Sequence, residues 1–128
     1  MSVDAVAVRV FAIVEDDADS RMVVRTLFSE DPRFSVAAEA ESAEDAIVMA
    51  RTEEPDLIVL DHNLDGPLTG LEAAPLLKQE APGAKIILFT GDDEIRRKAL
   101  EEDSVDAYLP KSRPDELVPT ACRLLGLH

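Results

Sequence analysis

The sequence predicts an α/β fold built around a doubly wound parallel sheet of five strands. Five short apolar segments alternate with five segments of helical spacing, and the connections between them are only a few residues long. Right-handed crossovers between parallel strands leave few other topologies for such a pattern. The length of 128 residues suits a single domain with a substantial core.

The first two predicted strands enclose the first helix. Val8–Val14 is apolar and β-branched, which predicts a strand, and it leads directly into the acidic triplet Glu15–Asp17. Ala18–Ser29 carries apolar residues at helical spacing, and Asp31-Pro32 ends that helix. Phe34–Ala40 is the second predicted strand.

Capping chemistry predicts the second helix, and an apolar run predicts the third strand. Ser42 is followed by two acidic residues, a pattern typical of a helix N-terminus, and Pro55 closes the helix. Leu57–Asp61 then consists of four apolar residues and one aspartate. So short an apolar run indicates a strand buried on both faces, and it places Asp61 at the carboxyl end of that strand.

A loop rich in glycine and proline separates this strand from the third helix, predicted over Leu71–Glu80. Pro75 lies within that segment. Because proline is tolerated in the first turn of a helix, we expect the helix to begin nearer Glu72 than Gly70. Lys85–Thr90 follows as a fourth apolar strand ending in a polar residue.

The remaining segments are more polar. A helix is predicted from about Glu94 to Glu102, followed by a weaker fifth strand over Val105–Leu109, which we place at an edge of the sheet. The last helix is predicted from Pro114 to Leu125, with a bend at Pro119.

Composition excludes several function classes. The formal net charge of −14 argues against direct nucleic-acid binding, which needs a cationic surface. The single cysteine, Cys122, excludes an internal disulfide. No signal peptide or membrane-spanning run is visible, which favours a cytoplasmic domain without membrane contact. We expect residues 1–7 to form a flexible lead-in and residues 8–126 to form the domain, with no effector domain.

Polar residues follow four of the predicted strands, at their carboxyl ends. They are Glu15, Asp16 and Asp17 after the first strand, Asp61 after the third, Thr90 at the fourth and Lys111 after the fifth. These ends meet at one edge of a parallel sheet, where ligands bind. Crowded carboxylates need a cation, and carboxylate with water suits Mg²⁺. A lysine and a hydroxyl beside such a site suit a phosphoryl group, with Asp61 as the nucleophile.

Each of these residues also has a plain structural interpretation. The acidic triplet could only favour a helix dipole, Asp61 could cap a turn, and Thr90 could end a strand or cap a helix. Lys111 could be a solvated surface charge, and we assign no role to His62, a single loop histidine. Their joint placement at strand ends favours the functional interpretation.

Four segments together resemble the response-regulator receiver domain of two-component signalling, of the chemotaxis-regulator type with a (βα)5 flavodoxin-like fold. The segments are Val14–Asp17, Leu60–Leu64, Phe89–Gly91 and Tyr108–Lys111, and the resemblance extends from about Val8 to Leu125. It implies that Asp61 is the phosphoacceptor, that Lys111 and Thr90 assist it, and that Thr90 and Tyr108 form the switch pair. It implies Mg²⁺ as the cofactor, bound by the side chains of Glu15, Asp16 and Asp61 and by the backbone carbonyl of Asn63.

The resemblance also assigns Asn63 and Asp92 to two positions that tune dephosphorylation. Polar residues at both positions could orient a water molecule, so we expect a short phosphoryl lifetime. Two features depart from the family. Ser112 follows Lys111 where a proline in a cis peptide is usual, and we expect a trans bond because a cis bond to serine would cost about 3 kcal/mol. The loop before Gly70 lacks the usual Met-Pro pair and is one residue longer.

The leading hypothesis is therefore a phosphorylation switch rather than an enzyme with its own substrate. A histidine kinase or a histidine phosphotransfer protein would supply the phosphoryl group, and a downstream protein would receive the output. The expected output face is formed by the fourth helix, fifth strand and fifth helix, where Arg96, Arg97, Lys98 and Arg113 lie, and it is also the expected face of any homodimer. The alternatives are an unphosphorylated pseudo-receiver that binds a partner and an aspartate-nucleophile phosphohydrolase, which would need an acid at the place of Asn63.

Overall fold

The computed structural model describes residues 8–127, so the expected lead-in over residues 1–7 lies outside the described residues. One five-stranded sheet forms the centre, with the strand order β2-β1-β3-β4-β5. All four pairs of neighbouring strands are parallel. The strands are β1 (Val8–Val14), β2 (Phe34–Ala40), β3 (Leu57–Leu60), β4 (Lys85–Thr90) and β5 (Ala107–Pro110). The predicted doubly wound parallel sheet is confirmed, with the fifth strand at an edge.

Five α-helices connect or follow these strands. They are α1 (Ala18–Ser29), α2 (Ala43–Glu53), α3 (Gly70–Glu80), α4 (Arg96–Glu101) and α5 (Leu117–Leu125). Ser42 caps α2 as predicted, because its side chain accepts a hydrogen bond from the backbone N–H of Asp45. The predicted bounds of β1, β2, β4 and α1 are confirmed.

The third helix begins earlier than expected. It starts at Gly70, because Thr69 caps it: the Thr69 hydroxyl accepts a hydrogen bond from the Glu72 N–H at 3.2 Å, and the Glu72 carboxylate accepts one from the Thr69 N–H at 3.0 Å. This reciprocal capping box satisfies N–H groups that a helix start leaves without partners. The prediction of a start nearer Glu72 was therefore wrong, and Pro75 lies inside the helix.

The other differences are at element ends. The third strand ends at Leu60, so Asp61 is the first residue beyond it, and β5 runs over Ala107–Pro110 rather than Val105–Leu109. Short 3₁₀ turns, Asp93–Ile95 and Pro114–Glu116, precede α4 and α5, so both α-helices are shorter than predicted. Pro119 is the third residue of α5, where a missing N–H removes no helical hydrogen bond.

The core consists of two apolar layers, one on each face of the sheet. Helices α2, α3 and α4 cover one face with small residues such as Ala46, Ala73 and Ala99, and α1 and α5 cover the other with Phe28 and Leu117. All four residues of β3 are buried. This burial confirms that β3 is covered on both faces and fixes the position from which Asp61 projects.

Candidate functional site

The predicted polar residues come together at the carboxyl ends of the strands. Strands β1, β3, β4 and β5 are consecutive in the sheet, so the residues that follow them are neighbours. Carboxylate oxygens of Glu15, Asp16 and Asp61 all lie within 4.8 Å of one another. Lys111, which follows β5, places its Nζ 3.0 Å from Oδ2 of Asp61. The clustering inferred from strand ends is thus present for Glu15, Asp16, Asp61 and Lys111.

Asp61 is held by its backbone and by both carboxylate oxygens. Its N–H donates to the Val14 carbonyl at 2.9 Å, which continues the pairing of β3 with β1 by one residue. Oδ1 accepts hydrogen bonds from the N–H groups of His62 at 2.7 Å and Asn63 at 3.4 Å, while Oδ2 pairs with Lys111. The residue is only 5% exposed. Its carboxylate is therefore a fixed group at the floor of the site.

Glu15 is the second buried carboxylate of the site. It is 4% exposed, and its Oε1 lies 2.5 Å from the Lys111 ammonium nitrogen. Burial raises the pKa of Glu15 to about 7, with repulsion from Asp61 adding to the rise and the hydrogen bond to Lys111 opposing it. Burial also opposes the charge on Lys111, but its hydrogen bonds to Glu15 and Asp61 outweigh that and raise the pKa of Lys111. Lys111 thus pairs with both buried carboxylates of the site.

Such a donor set fits Mg²⁺. Three clustered carboxylates provide hard oxygen ligands, and a single lysine, Lys111, pairs with two of them. Asp16 is half-buried at the edge of the cluster, whereas Asp17 is exposed and serves as the N-cap of α1, its Oδ2 accepting the Ser20 N–H at 2.9 Å. Asp17 therefore has a capping role, and Glu15, Asp16 and Asp61 are the residues that could hold a metal.

The last residue of β4 joins the site to the following loop. Thr90 is fully buried, its carbonyl accepts the Lys111 N–H at 2.9 Å, and its Oγ1 accepts the Asp92 N–H at 3.3 Å. Asp92 caps the next 3₁₀ turn, accepting the Glu94 N–H at 3.0 Å. The hydroxyl of the half-buried Tyr108 donates to the Asp92 carbonyl at 3.4 Å and lies 3.5 Å from Asp93 Oδ1. Thr90 and Tyr108 therefore contact the same short loop.

The departures from the family pattern lie on either side of this centre. No peptide bond in the described part of the chain is cis, so the bond between Lys111 and Ser112 is trans, as expected. The longer loop before Gly70 packs on the loop between β2 and α2, where Asp65 pairs with Ser42 in an isolated bridge. Asn63, in the same loop, is exposed beside Asp61.

Three residues that the sequence analysis left without a role support the site. The His62 carbonyl accepts a hydrogen bond from the Gly70 N–H at 2.8 Å, and Nδ1 of the His62 ring accepts one from the Leu71 N–H at 3.4 Å. These two hydrogen bonds tie the loop to the start of α3. A Cβ on Gly70 would lie 1.9 Å from the Asp61 carbonyl oxygen, so only glycine fits there. Arg21 donates from Nη1 to the Glu15 carbonyl at 2.8 Å. In the sequence, these supporting roles were indicated only by a glycine at a helix start and an arginine one turn into α1.

Residues 11–121 match the family model described as the response regulator receiver domain. The chain belongs to this family. Among curated relatives, the nitrate/nitrite response regulator protein NarP of Escherichia coli strain K12 is 35% identical over 112 residues, covering 87% of this chain and 52% of that protein. NarL of the same strain is 32% identical over 114 residues, covering 83% of this chain and 50% of that protein. The chain thus spans about half the length of these relatives.

Solved receiver structures share the fold. A two-component response regulator of the LuxR family from Aurantimonas sp. SI85-9A1 is 33% identical, with a TM-score of 0.82 over 92% of this receiver chain and 84% of that chain. The response regulator domain of Thermotoga maritima CheB has the same TM-score at 21% identity, covering 95% of this chain and 98% of that chain. Within residues 8–127 no helix is both long enough and apolar enough to cross a membrane.

Proposed function

We propose that this receiver is a phosphorylation-driven switch of a two-component system, with Asp61 as the phosphoacceptor. The observation that carries the proposal is the site itself: a buried aspartate lies within 4.8 Å of two further carboxylates and 3.0 Å from a lysine ammonium. In the proposed reaction, a carboxylate oxygen of Asp61 forms a bond to phosphorus. The bond from phosphorus to the donor, a histidine nitrogen of a kinase or a phosphotransfer protein, breaks and its electron pair remains on that nitrogen.

The neighbouring groups would offset the negative charge that the phosphoryl group brings. Lys111 already contacts Asp61 and Glu15, and it can turn one of its hydrogen bonds to a phosphoryl oxygen. Glu15, Asp16, Asp61 and the backbone carbonyl of Asn63 would hold Mg²⁺. When bound, the ion supplies electrostatic stabilisation of the phosphoryl oxygens. Water attacking the phosphorus of the acyl phosphate would regenerate Asp61, so the domain would catalyse only its own modification and its reversal.

Thr90 and Tyr108 are the proposed switch. The Thr90 hydroxyl now accepts a hydrogen bond from Asp92, and donation of its proton to a phosphoryl oxygen would pull the β4–α4 loop towards Asp61. The Tyr108 hydroxyl contacts the same loop, so its hydrogen bonds to Asp92 and Asp93 would change as well. Asn63 and Asp92 are the proposed positions that shorten the phosphoryl lifetime. Asn63 is exposed, and one carboxylate oxygen of Asp92 accepts a hydrogen bond from the Glu94 N–H.

The proposed output is binding of a downstream protein, with the domain acting in the cytoplasm. Arg96, Arg97 and Lys98 are exposed on α4. Arg113 pairs with Asp115 and Glu116 and contributes less free charge. The downstream protein, or a second copy of this chain, would bind the face formed by α4, β5 and α5. Replacing the three α4 cations with acidic residues would weaken that binding. Unchanged binding by such a variant would exclude this face.

The test is incorporation of one phosphoryl group. Wild type, Asp61→Asn and the control Asp65→Asn, an exposed acid in the same loop, are incubated with Mg²⁺ and a small phosphodonor, and intact masses are compared. Wild type and the control are expected to gain one phosphoryl group and Asp61→Asn none. No adduct on wild type would favour a pseudo-receiver, and steady turnover of diverse phosphoesters would favour a phosphohydrolase.

A further inference from the structure

We infer that Arg21 is a positioning residue for the metal site, a role that rests on the proposed function. Its guanidinium does not touch the clustered carboxylates directly. It donates from Nη1 to the carbonyl oxygen of Glu15 at 2.8 Å, which is the oxygen of the peptide group joining Glu15 to Asp16. The orientation of that peptide group determines the direction in which each of the two acidic side chains leaves the backbone.

The backbone around this peptide is fixed on both sides. The Glu15 N–H donates to the Ala40 carbonyl at 2.9 Å, which ties the loop to β2. The Asp17 N–H donates to Oε2 of Glu15 at 3.1 Å, and the Asp17 carbonyl accepts the Arg21 N–H at 3.0 Å as α1 begins. Arg21 therefore contacts the loop through both its backbone and its side chain.

Arg21 is itself held in place by β2 and the residue that follows it. Its Nε lies 3.5 Å from Oε1 of Glu39, and its Nη1 lies 3.8 Å from Oε1 of Glu41. The side chain is 18% exposed. A planar guanidinium with several fixed donors can bridge two partners in this way, whereas a lysine provides a single point charge. The arrangement links the edge strand to the peptide group between the two proposed metal ligands.

This role predicts a result that a purely electrostatic role would not. Removing a positive charge near a cation site strengthens cation binding, because repulsion falls. Removing a group that orients the ligands weakens it, and loss of such outer contacts typically lowers metal affinity about 10-fold to 100-fold. Replacing Arg21 with a neutral residue of similar length should therefore weaken Mg²⁺ binding if Arg21 orients the ligands. The same replacement should strengthen Mg²⁺ binding if Arg21 acts only through its charge.

The experiment compares Mg²⁺ dissociation constants by calorimetry for wild type, Arg21→Met, Arg21→Lys and Arg25→Met. We expect about 10-fold weaker binding for Arg21→Met and partial recovery for Arg21→Lys, which can still donate one hydrogen bond. Arg25 is the matched control, since it lies one turn further along α1 and pairs with the same Glu39 at 2.8 Å but not with the loop. Its replacement is expected to change affinity less than about twofold, as an exposed pair contributes little.

The possible failures are distinguishable. Wild type without saturable Mg²⁺ binding would overturn both the proposed metal site and this inference. Wild type that binds, together with unchanged or tighter binding by Arg21→Met, would overturn the positioning role alone. Thermal unfolding without Mg²⁺ is measured for each variant, and Mg²⁺ binding is compared at a temperature where all are folded. An equal loss of affinity in Arg25→Met would also contradict the inference, because Arg25 makes no hydrogen bond to the loop and the loss would then not depend on the contact between Arg21 and the Glu15 carbonyl.

Discussion

Lys111 is the residue on which the electrostatics of the metal-free site depends. Its ammonium group lies 2.5 Å from Glu15 and 3.0 Å from Asp61, and both carboxylates are almost completely buried. Removing one member of a buried ion pair leaves an uncompensated charge and typically costs 3–5 kcal/mol. The Lys111 side chain is 28% exposed, so water reduces that loss.

We therefore predict that Lys111→Met lowers the free energy of unfolding by about 2 kcal/mol without Mg²⁺. Saturating Mg²⁺ should recover part of this loss, because a bound cation would neutralise the same carboxylates. Urea unfolding with and without Mg²⁺ measures both quantities. Lys98→Met, at an exposed position of α4, is the control and should leave stability within about 0.5 kcal/mol of wild type. A similar loss in both variants would mean that the ion pair contributes little.

Gly70 places the start of α3 directly against the backbone of the proposed phosphoacceptor. A Cβ there would lie 1.9 Å from the Asp61 carbonyl oxygen and 2.9 Å from Cα of His62, both backbone atoms that cannot rotate away. We predict that Gly70→Ala destabilises the fold by about 3 kcal/mol, at the upper end of overpacking effects. It should also slow phosphorylation, because the backbone of Asp61 would have to move.

The control for this substitution is Gly83→Ala. A Cβ on Gly83 has no atom within 4 Å, so the change should be neutral or stabilise slightly, by about 0.5 kcal/mol. Chemical denaturation and intact-mass phosphorylation rates compare the two variants. Equal stability of both proteins would contradict the close contact at Gly70.

At the scale of elements, the bounds of helices and strands were predicted best where an apolar pattern coincided with residues that typically end an element. Strand β4 and helix α1 match their predicted bounds because each ends at a polar or proline-containing turn. The predicted start of α3 rested on Pro75 alone, whereas the cap at Thr69 determines the observed start. A proline lacks one N–H, whereas the Thr69–Glu72 box provides two hydrogen bonds at the helix start.

This capping box predicts a measurable coupling. Thr69→Ala should lower the free energy of unfolding by about 1 kcal/mol, while Thr69→Ser, which retains the hydroxyl, should lose much less. Because Glu72 returns a hydrogen bond to the Thr69 N–H at 3.0 Å, the double variant Thr69→Ala with Glu72→Ala should lose less than the sum of the single losses. Urea unfolding of this cycle measures the coupling, and strict additivity would contradict the reciprocal contact.

At the scale of the whole molecule, topology explains why the residues of the site could be predicted. It also explains why the residues that hold the site in place could not. Right-handed crossovers restrict the possible strand orders, and the observed order β2-β1-β3-β4-β5 makes the ends of four strands neighbours. Glu15, Asp61, Thr90 and Lys111 could therefore be grouped from sequence alone. The contacts of Arg21 and His62 depend on side-chain directions and loop paths. No periodicity in the sequence encodes those directions.

The overall charge of the molecule leads to the last prediction. A formal net charge of −14 on 128 residues disfavours the compact state through self-repulsion. Added NaCl screens that repulsion, so the melting temperature should rise with ionic strength. MgCl₂ at matched ionic strength should raise it further, because an ion that binds only the folded state adds about 1.4 kcal/mol at ten times its dissociation constant. Asp61→Asn should retain the response to NaCl but lose most of the additional Mg²⁺ effect, since one of three clustered carboxylates is gone. Thermal scans of both proteins in the two salts measure this difference, and an equal additional effect of Mg²⁺ in both would place the ion elsewhere on the acidic surface.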